Sequence, residues 1–288
     1  MKTKFRKTIT AALVFSAALS FISAYDRNYD SIQQKHMRED GQKFLFRDVF
    51  GTEFMTVINP RVEKNDYKKS SFVRTGYDMD YKNDKRYTAV RGVDISHHDG
   101  EVDWKKLKND GIEFVILRAG YRGYQSGTVN EDRMFTKNIK GALEAGLKVG
   151  IYFFSQADSE KEALEEAKFV IKRIKKYKIE LPVFYDPEII RDDEARSDNI
   201  TGEQFTKNAV VFCNAVKDAG FIPGVYSNML WEAYEFDLEK LSDYVIWYAD
   251  YEEKPQTPYR FTFWQYAEKD GDIKAPYDMD VMMVKLPQ

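Results

Sequence analysis

Cysteine is all but missing from this chain: Cys213 is the only one in 288 residues, so no intrachain disulfide can form. Stability has to come from packing, and the apolar stretch Val210 to Ala219 around Cys213 marks the thiol as a buried, inert side chain. Neither sign of charge dominates. With 44 Lys+Arg against 47 Asp+Glu, the formal charge of −3 provides no positive field for a phosphate backbone, so nucleic acid is not expected as a partner. Histidine is scarce: His36, His97 and His98 are all there are. Two are neighbours in His97-His98-Asp99, where adjacent side chains of an extended chain point apart, so this reads as a polar loop; no metal or other cofactor is expected. The glycine-rich run Gly120 to Gly127 lacks the Gly-Lys-Ser/Thr of a phosphate loop. No fixed-period repeat is present, which disfavours a solenoid or propeller.

What the chain does have is 43% hydrophobic residues, including 20 Phe and 19 Tyr, enough for one large core. It begins with a basic head, Lys2, Lys4, Arg6 and Lys7, followed by an uncharged run from Ile9 to Ala24, the pattern of an export signal. Ile22 stands where a small residue is preferred before cleavage, so residues 1–24 read either as a removed signal peptide or as a retained membrane anchor. The protein is accordingly expected outside the cell or attached to its envelope. Residues 25–88, crowded with Asp, Lys, Arg and Tyr, read as a spacer or a small β-rich appendage. A hairpin is expected around Phe54 to Ile58, which ends at the turn signal Asn59-Pro60.

Residues 89–288 change texture to short β-branched and aromatic runs separated by amphipathic stretches, the alternation of an α/β fold with parallel strands. Strands are predicted at Val90–Ser96, Phe114–Ala119, Lys148–Phe154, Pro182–Glu188 and Gly224–Ser227. Helices are predicted at Asp103–Asn109, Asp132–Ala145, Ser159–Tyr177 and Gly202–Ala219, two of them closing on Ala-Gly. Three plainer strands follow, Tyr244–Ala249, Phe261–Tyr266 and Met279–Val284. The simplest architecture for all eight is an irregular TIM-like barrel begun by βα units, with its reactive groups at the carboxyl ends of the strands.

Several of these strand ends carry acids: Asp94, the pair Asp186 and Glu188, and Asp280 with Asp278 beside it. Acids in apolar strands are costly to bury unless paired or used, so together they point to a shared site. In Asp186-Pro187-Glu188 the two carboxyls lie two residues apart, on one face of a strand with backbones roughly 7 Å apart. Both can reach one glycosidic bond, and mutual repulsion would keep one protonated while the other is ionised. Their reach spans both the about 5–5.5 Å separation of retaining glycosidases and the about 6.5–9.5 Å of inverting ones.

Gly92-Val93-Asp94-Ile95-Ser96 with Val102-Asp103-Trp104, the run Gly111 to Gly123, the run Gly146 to Ala157, Asp186-Pro187-Glu188 and Trp264-Gln265-Tyr266 together resemble the glycoside hydrolase family 25 muramidases, or lysozymes. The resemblance extends from about Arg91 to Lys285. It implies a (β/α)5β3 barrel, no metal requirement, and hydrolysis of the β-1,4 bond between N-acetylmuramic acid and N-acetylglucosamine in peptidoglycan strands; a monomer without cofactor is expected. By the same resemblance Glu188 matches the proton donor and Asp186 its carboxylate partner, with Asp94 and Asp280 as flanking acids. The family's asparagine two residues after the last aspartate is replaced here by Met282, which leaves Asp278 as the alternative to Asp280. Sugar contacts are expected from Tyr121, Tyr152, Phe154, Tyr185, Tyr226, Trp247, Tyr248, Trp264, Gln265 and Tyr266, on or just beyond strand ends, part of this set being core. Two other readings compete: a glycan-binding module on the same fold, and a metal-dependent polysaccharide deacetylase, which a chelator would inactivate.

Overall fold

The structure, a computed structural model, describes residues 29, 33–34, 38–48, 51–190, 194–269 and 271–287. The expected export segment, residues 1–24, and His36 lie outside the described residues. No helix among those described is long and apolar enough to cross a membrane.

Eight strands form a closed barrel: β5 (Tyr87–Ile95), β6 (Phe114–Arg122), β8 (Lys148–Ser155), β9 (Val183–Pro187), β10 (Pro223–Asn228), β11 (Val245–Ala249), β12 (Phe263–Ala267) and β13 (Asp278–Lys285). A short strand β7 (Val129–Glu131) adds to β6 as an antiparallel edge. Neighbours from β5 round to β12 run parallel, whereas β13 is antiparallel to both β12 and β5, which it joins to close the ring. Helices follow each of the first four barrel strands: α1 (Trp104–Asn109), α2 (Phe135–Glu144), α3 (Glu160–Ile174) and α4 (Gly202–Asp218). After β10 there is only a π-helical turn, Trp231–Glu235, and the four-residue α5 (Leu238–Leu241).

Local chemistry accounts for these elements. On α3, Ala163, Ala167, Val170 and Ile174 recur at helical spacing on the buried face. Glu160 and Glu162 lie in its first turn and Lys172 and Arg173 in its last, matching the helix dipole. Thr201 caps α4 by accepting from the Gln204 amide at 3.2 Å. Gly146 and Gly220 close their helices at φ of 73° and 86°, left-handed positions that favour glycine.

Where helices are lacking, the N-terminal region covers the barrel. Hairpin β3–β4 (Phe72–Thr75 and Asp78–Tyr81) lies over β12 and β13: Phe72 stands edge-on to Trp264 at 5.2 Å, and Met79 is fully buried. Arg91 fastens it through Asp78 at 2.9 Å and Asp80 at 2.6 Å. A second hairpin, β1–β2 (Lys43–Arg47 and Glu53–Val57), is held by Gln256, whose amide exchanges bonds of 2.8 and 2.9 Å with the Arg47 backbone. The turn of this hairpin is pinned by Asp48 and Thr52, ahead of the Phe54 patch, and not at Asn59-Pro60 as the sequence suggested. Asn59 instead docks on the barrel, its amide donating to Tyr259 Oη at 2.8 Å.

Candidate active site

Side chains alternate along barrel strands, so each strand sends every second residue inward. The lower interior is filled by rings, with Phe263 edge-on to Phe114 and Phe184 at 5.4 Å each. Above them Trp247 forms a floor, ringed by Tyr152 at 5.7 Å, Phe184 at 5.2 Å and Tyr226 at 4.8 Å. On this apolar base, at the carboxyl ends of the parallel strands, stand the acids.

Asp94 is buried at the end of β5, and Gln265 of β12 donates to its Oδ2 at 2.7 Å. Gln265 is held in turn, its Oε1 accepting from Tyr226 Oη at 3.1 Å and Tyr251 Oη at 3.0 Å. Asp186 is buried near the end of β9, two residues after the inward Phe184, and Glu188, half-buried, follows directly after the strand. The antiparallel register sets Asp278 opposite Asp94 and Asp280 opposite Gly92, one layer deeper. Asp280 is fully buried, and its Oδ1 accepts from Trp247 Nε1 at 2.8 Å. Asp278 faces the mouth, anchored by the Lys269 amide at 2.6 Å.

Crowding acids over an apolar floor suppresses their ionisation. Burial, then the charge of Glu188, pushes the Asp186 carboxyl well up, with Arg118 opposing. Burial, then Glu268 and Asp278, pushes Glu188 up to about 7. Asp94 and Asp280 are raised by burial first, and Asp278 rises to about 6, chiefly through burial. Asp186 Oδ1 is buried with no hydrogen-bond partner among the described residues, which makes its charge still dearer. Asp186 and Glu188 are near enough to repel, so the pair retains a proton into the neutral range.

The structure thus brings Asp94, Asp186, Glu188 and Asp280 into one interior, with Tyr152, Tyr226, Trp247 and Gln265 beneath or beside them. Phe154 sits level with Asp186 in the β8–β9 register, and Tyr121 level with Phe154 on the rim. Four expected sugar contacts are corrected. Tyr185, Tyr248, Trp264 and Tyr266 occupy the alternate, outward positions and are fully buried outside the barrel. Tyr185 packs on Phe212 of α4 at 5.3 Å, and Tyr248 on Phe261 at 5.8 Å. Trp264 packs on Phe72, its Nε1 donating to the Asp250 carbonyl at 2.8 Å, while Tyr266 donates to the Tyr77 carbonyl at 3.0 Å.

Two participants were missed. Gln156, fully buried after β8, donates to the Glu188 carbonyl and accepts from Ser197 Oγ, both at 2.6 Å, and so fixes the backbone that carries Glu188. Arg118, a charge within the apolar run Phe114–Ala119, offered a readable signal: it stands inside the barrel mouth beside the acids. His97 joins this corner, its Nδ1 2.9 Å from Asp132 Oδ2 and 2.6 Å from Arg118 Nη2. Among the described residues no group of three His, Cys, Asp or Glu side chains is arranged to hold a metal ion.

The model of the glycosyl hydrolases family 25 matches residues 93–273. Lysozyme M1 of Streptomyces globisporus is 31% identical over 72 residues, which are 25% of this chain and 23% of that protein. The autolytic lysozyme of Clostridium acetobutylicum is 24% identical over 195 residues, 66% of this chain and 55% of that protein. The chain therefore spans about a quarter and about half of these two relatives. The modular autolysin LytC of Streptococcus pneumoniae, solved with a synthetic peptidoglycan ligand, shares the fold at a TM-score of 0.57. It is 24% identical, the alignment covering 83% of this chain and 56% of that one.

Proposed function

The chain belongs to glycosyl hydrolase family 25, and from that membership we propose that it hydrolyses peptidoglycan as a muramidase, cutting the β-1,4 bond that follows N-acetylmuramic acid. The observation that carries this reading is the pair Asp186, near the end of β9, and Glu188, just after it, where burial and neighbouring acids push both carboxyls up. Glu188, at the rim and still protonated near neutrality, gives its proton to the leaving oxygen. Asp186, deeper and beneath the sugar, either stabilises the cationic ring or orients the substrate's own acetamido group for attack. Asp94, held by Gln265, and Asp278 complete the ring of carboxyls around the site of the developing oxocarbenium ion. Asp280 belongs to the supporting layer, tied to the floor through Trp247. Residues 1–24 direct the protein to the cell envelope or beyond, where its substrate lies, with residues 89–288 as the catalytic barrel.

The test is to digest purified peptidoglycan with the full chain and identify the new reducing ends. N-acetylmuramic acid supports the reading; N-acetylglucosamine at that position refutes the bond assignment. The pH profile supplies a second check. A carboxyl pushed up to about 7 holds its proton below that pH and loses it above, so kcat/KM is expected to fall on the alkaline side with a midpoint near 7. Undiminished activity two pH units higher would exclude Glu188 as the donor.

A further inference from the structure

Arg118 is held in place by bonds that do not involve the reactive acids. Its Nε donates to Asp132 Oδ2 at 2.9 Å, its Nη2 approaches His97 Nδ1 at 2.6 Å, and its guanidinium lies 5.6 Å from the Tyr121 ring centre. Asp132 is itself fixed: it is buried and accepts from the His97 amide at 3.0 Å and the Met134 amide at 2.9 Å. This anchor sits on the turn after β5 and on the segment leading into α2, so two loops converge to hold one cation at the mouth. The β6–β8 register sets Arg118 level with Tyr152, and β9 follows immediately with Asp186 and Glu188.

From this arrangement we infer that Arg118 is a positioning residue for the reaction, a cation that two loops clamp at the barrel mouth on the strand next but one to Asp186. The inference rests on the muramidase reading only for its catalytic consequence. The groups facing Arg118 are His97 and His98 from the turn after β5, Asp132, Tyr152 of β8, and Asp186 and Glu188 of β9. Asp278 and Glu268 add negative charge to Glu188 from the far side of the mouth. Arg118 opposes the upward displacement of both β9 carboxyls and so counteracts burial and like charge. Without it the pair would hold its proton more tightly, and Asp186 would ionise only at higher pH.

The experiment is a ¹³C NMR titration of side-chain carboxyls in the isotope-labelled full chain, with pH–rate profiles on peptidoglycan in parallel. In Arg118→Met, Asp186 and Glu188 are expected to titrate about one pH unit higher, the rate profile to move to higher pH, and kcat to fall about tenfold with little change in KM. Arg118→Lys keeps the charge and is expected to recover most of the titration shift. Asp132→Asn removes the counter-charge and leaves the guanidinium, so the carboxyls are expected to move the opposite way, to lower pH. Carboxyl titrations unmoved in Arg118→Met, or moved in the same direction by Asp132→Asn, would overturn the inference. The titration needs no substrate, so a failed inference is distinguishable from a failed muramidase reading. Should Arg118→Met not fold, the signs seen in Arg118→Lys and Asp132→Asn decide the matter.

Discussion

Glu188→Gln is expected to lower turnover on peptidoglycan by at least about 10²-fold while leaving the barrel folded, the ordinary contribution of a positioned general acid. The amide keeps the shape of the side chain and removes only the transferable proton. A second effect follows from the same carboxyl. Its folded-state value of about 7 lies above the ordinary glutamate value of 4.5, so its contribution to stability is complete below about pH 4.5 and is lost as pH rises through 7. At pH 8 the parent carries an uncompensated charge that the variant lacks. Glu188→Gln is therefore expected to be more stable there by about 1–2 kcal/mol, allowing for the partial exposure of the side chain. Activity assays and denaturant unfolding at pH 5 and pH 8 check both halves. A variant that keeps its activity, or is equally destabilised at both pH values, contradicts the role assigned to this carboxyl.

Trp264→Ala is expected to act on the fold and not on sugar binding. The indole is fully buried against Phe72 and bonded to the Asp250 carbonyl, so truncation removes a large buried ring, an edge-to-face ring contact and a hydrogen bond. The loss expected for such a change is about 3–5 kcal/mol. Phe72→Ala is expected to reproduce part of it from the hairpin side, and thermal or denaturant unfolding measures both. KM of the remaining folded protein should stay near that of the parent. A variant of unchanged stability and raised KM would return Trp264 to the groove.

The barrel was legible because its strands are short apolar runs whose helices announce their ends, and the predicted boundaries lie within a few residues of the observed ones. Gly146 and Gly220, read as helix stops, do adopt the left-handed backbone that such stops use. The two-residue period puts Asp186 on the side of β9 that carries the inward Phe184, whereas Glu188 lies just past the strand end. That period also separates Gln265 from Trp264 and Tyr266, which cannot share its face, although all three were expected to contact sugar. The ranking of Asp278 against Asp280 depends on how β13 pairs with β5, a long-range fact that no local pattern records. Hairpin β3–β4 was hidden for a similar reason: its apolar side amounts to Phe72, Met79 and Tyr81 among charged neighbours, too few to form a visible run. Gln156 acts through the backbone of a residue thirty-two positions away, and such contacts exist only once the chain has folded.

The pairing of β13 with β5, eight residues long, makes the first and last barrel strands each other's neighbours. During synthesis the β5 side of the sheet therefore waits for its partner until the rest of the ring has been made, a long-range closure of the slow kind. Asp278 arrives on that same strand, directly opposite Asp94. Completion of the fold and completion of the acid cluster are thus one event.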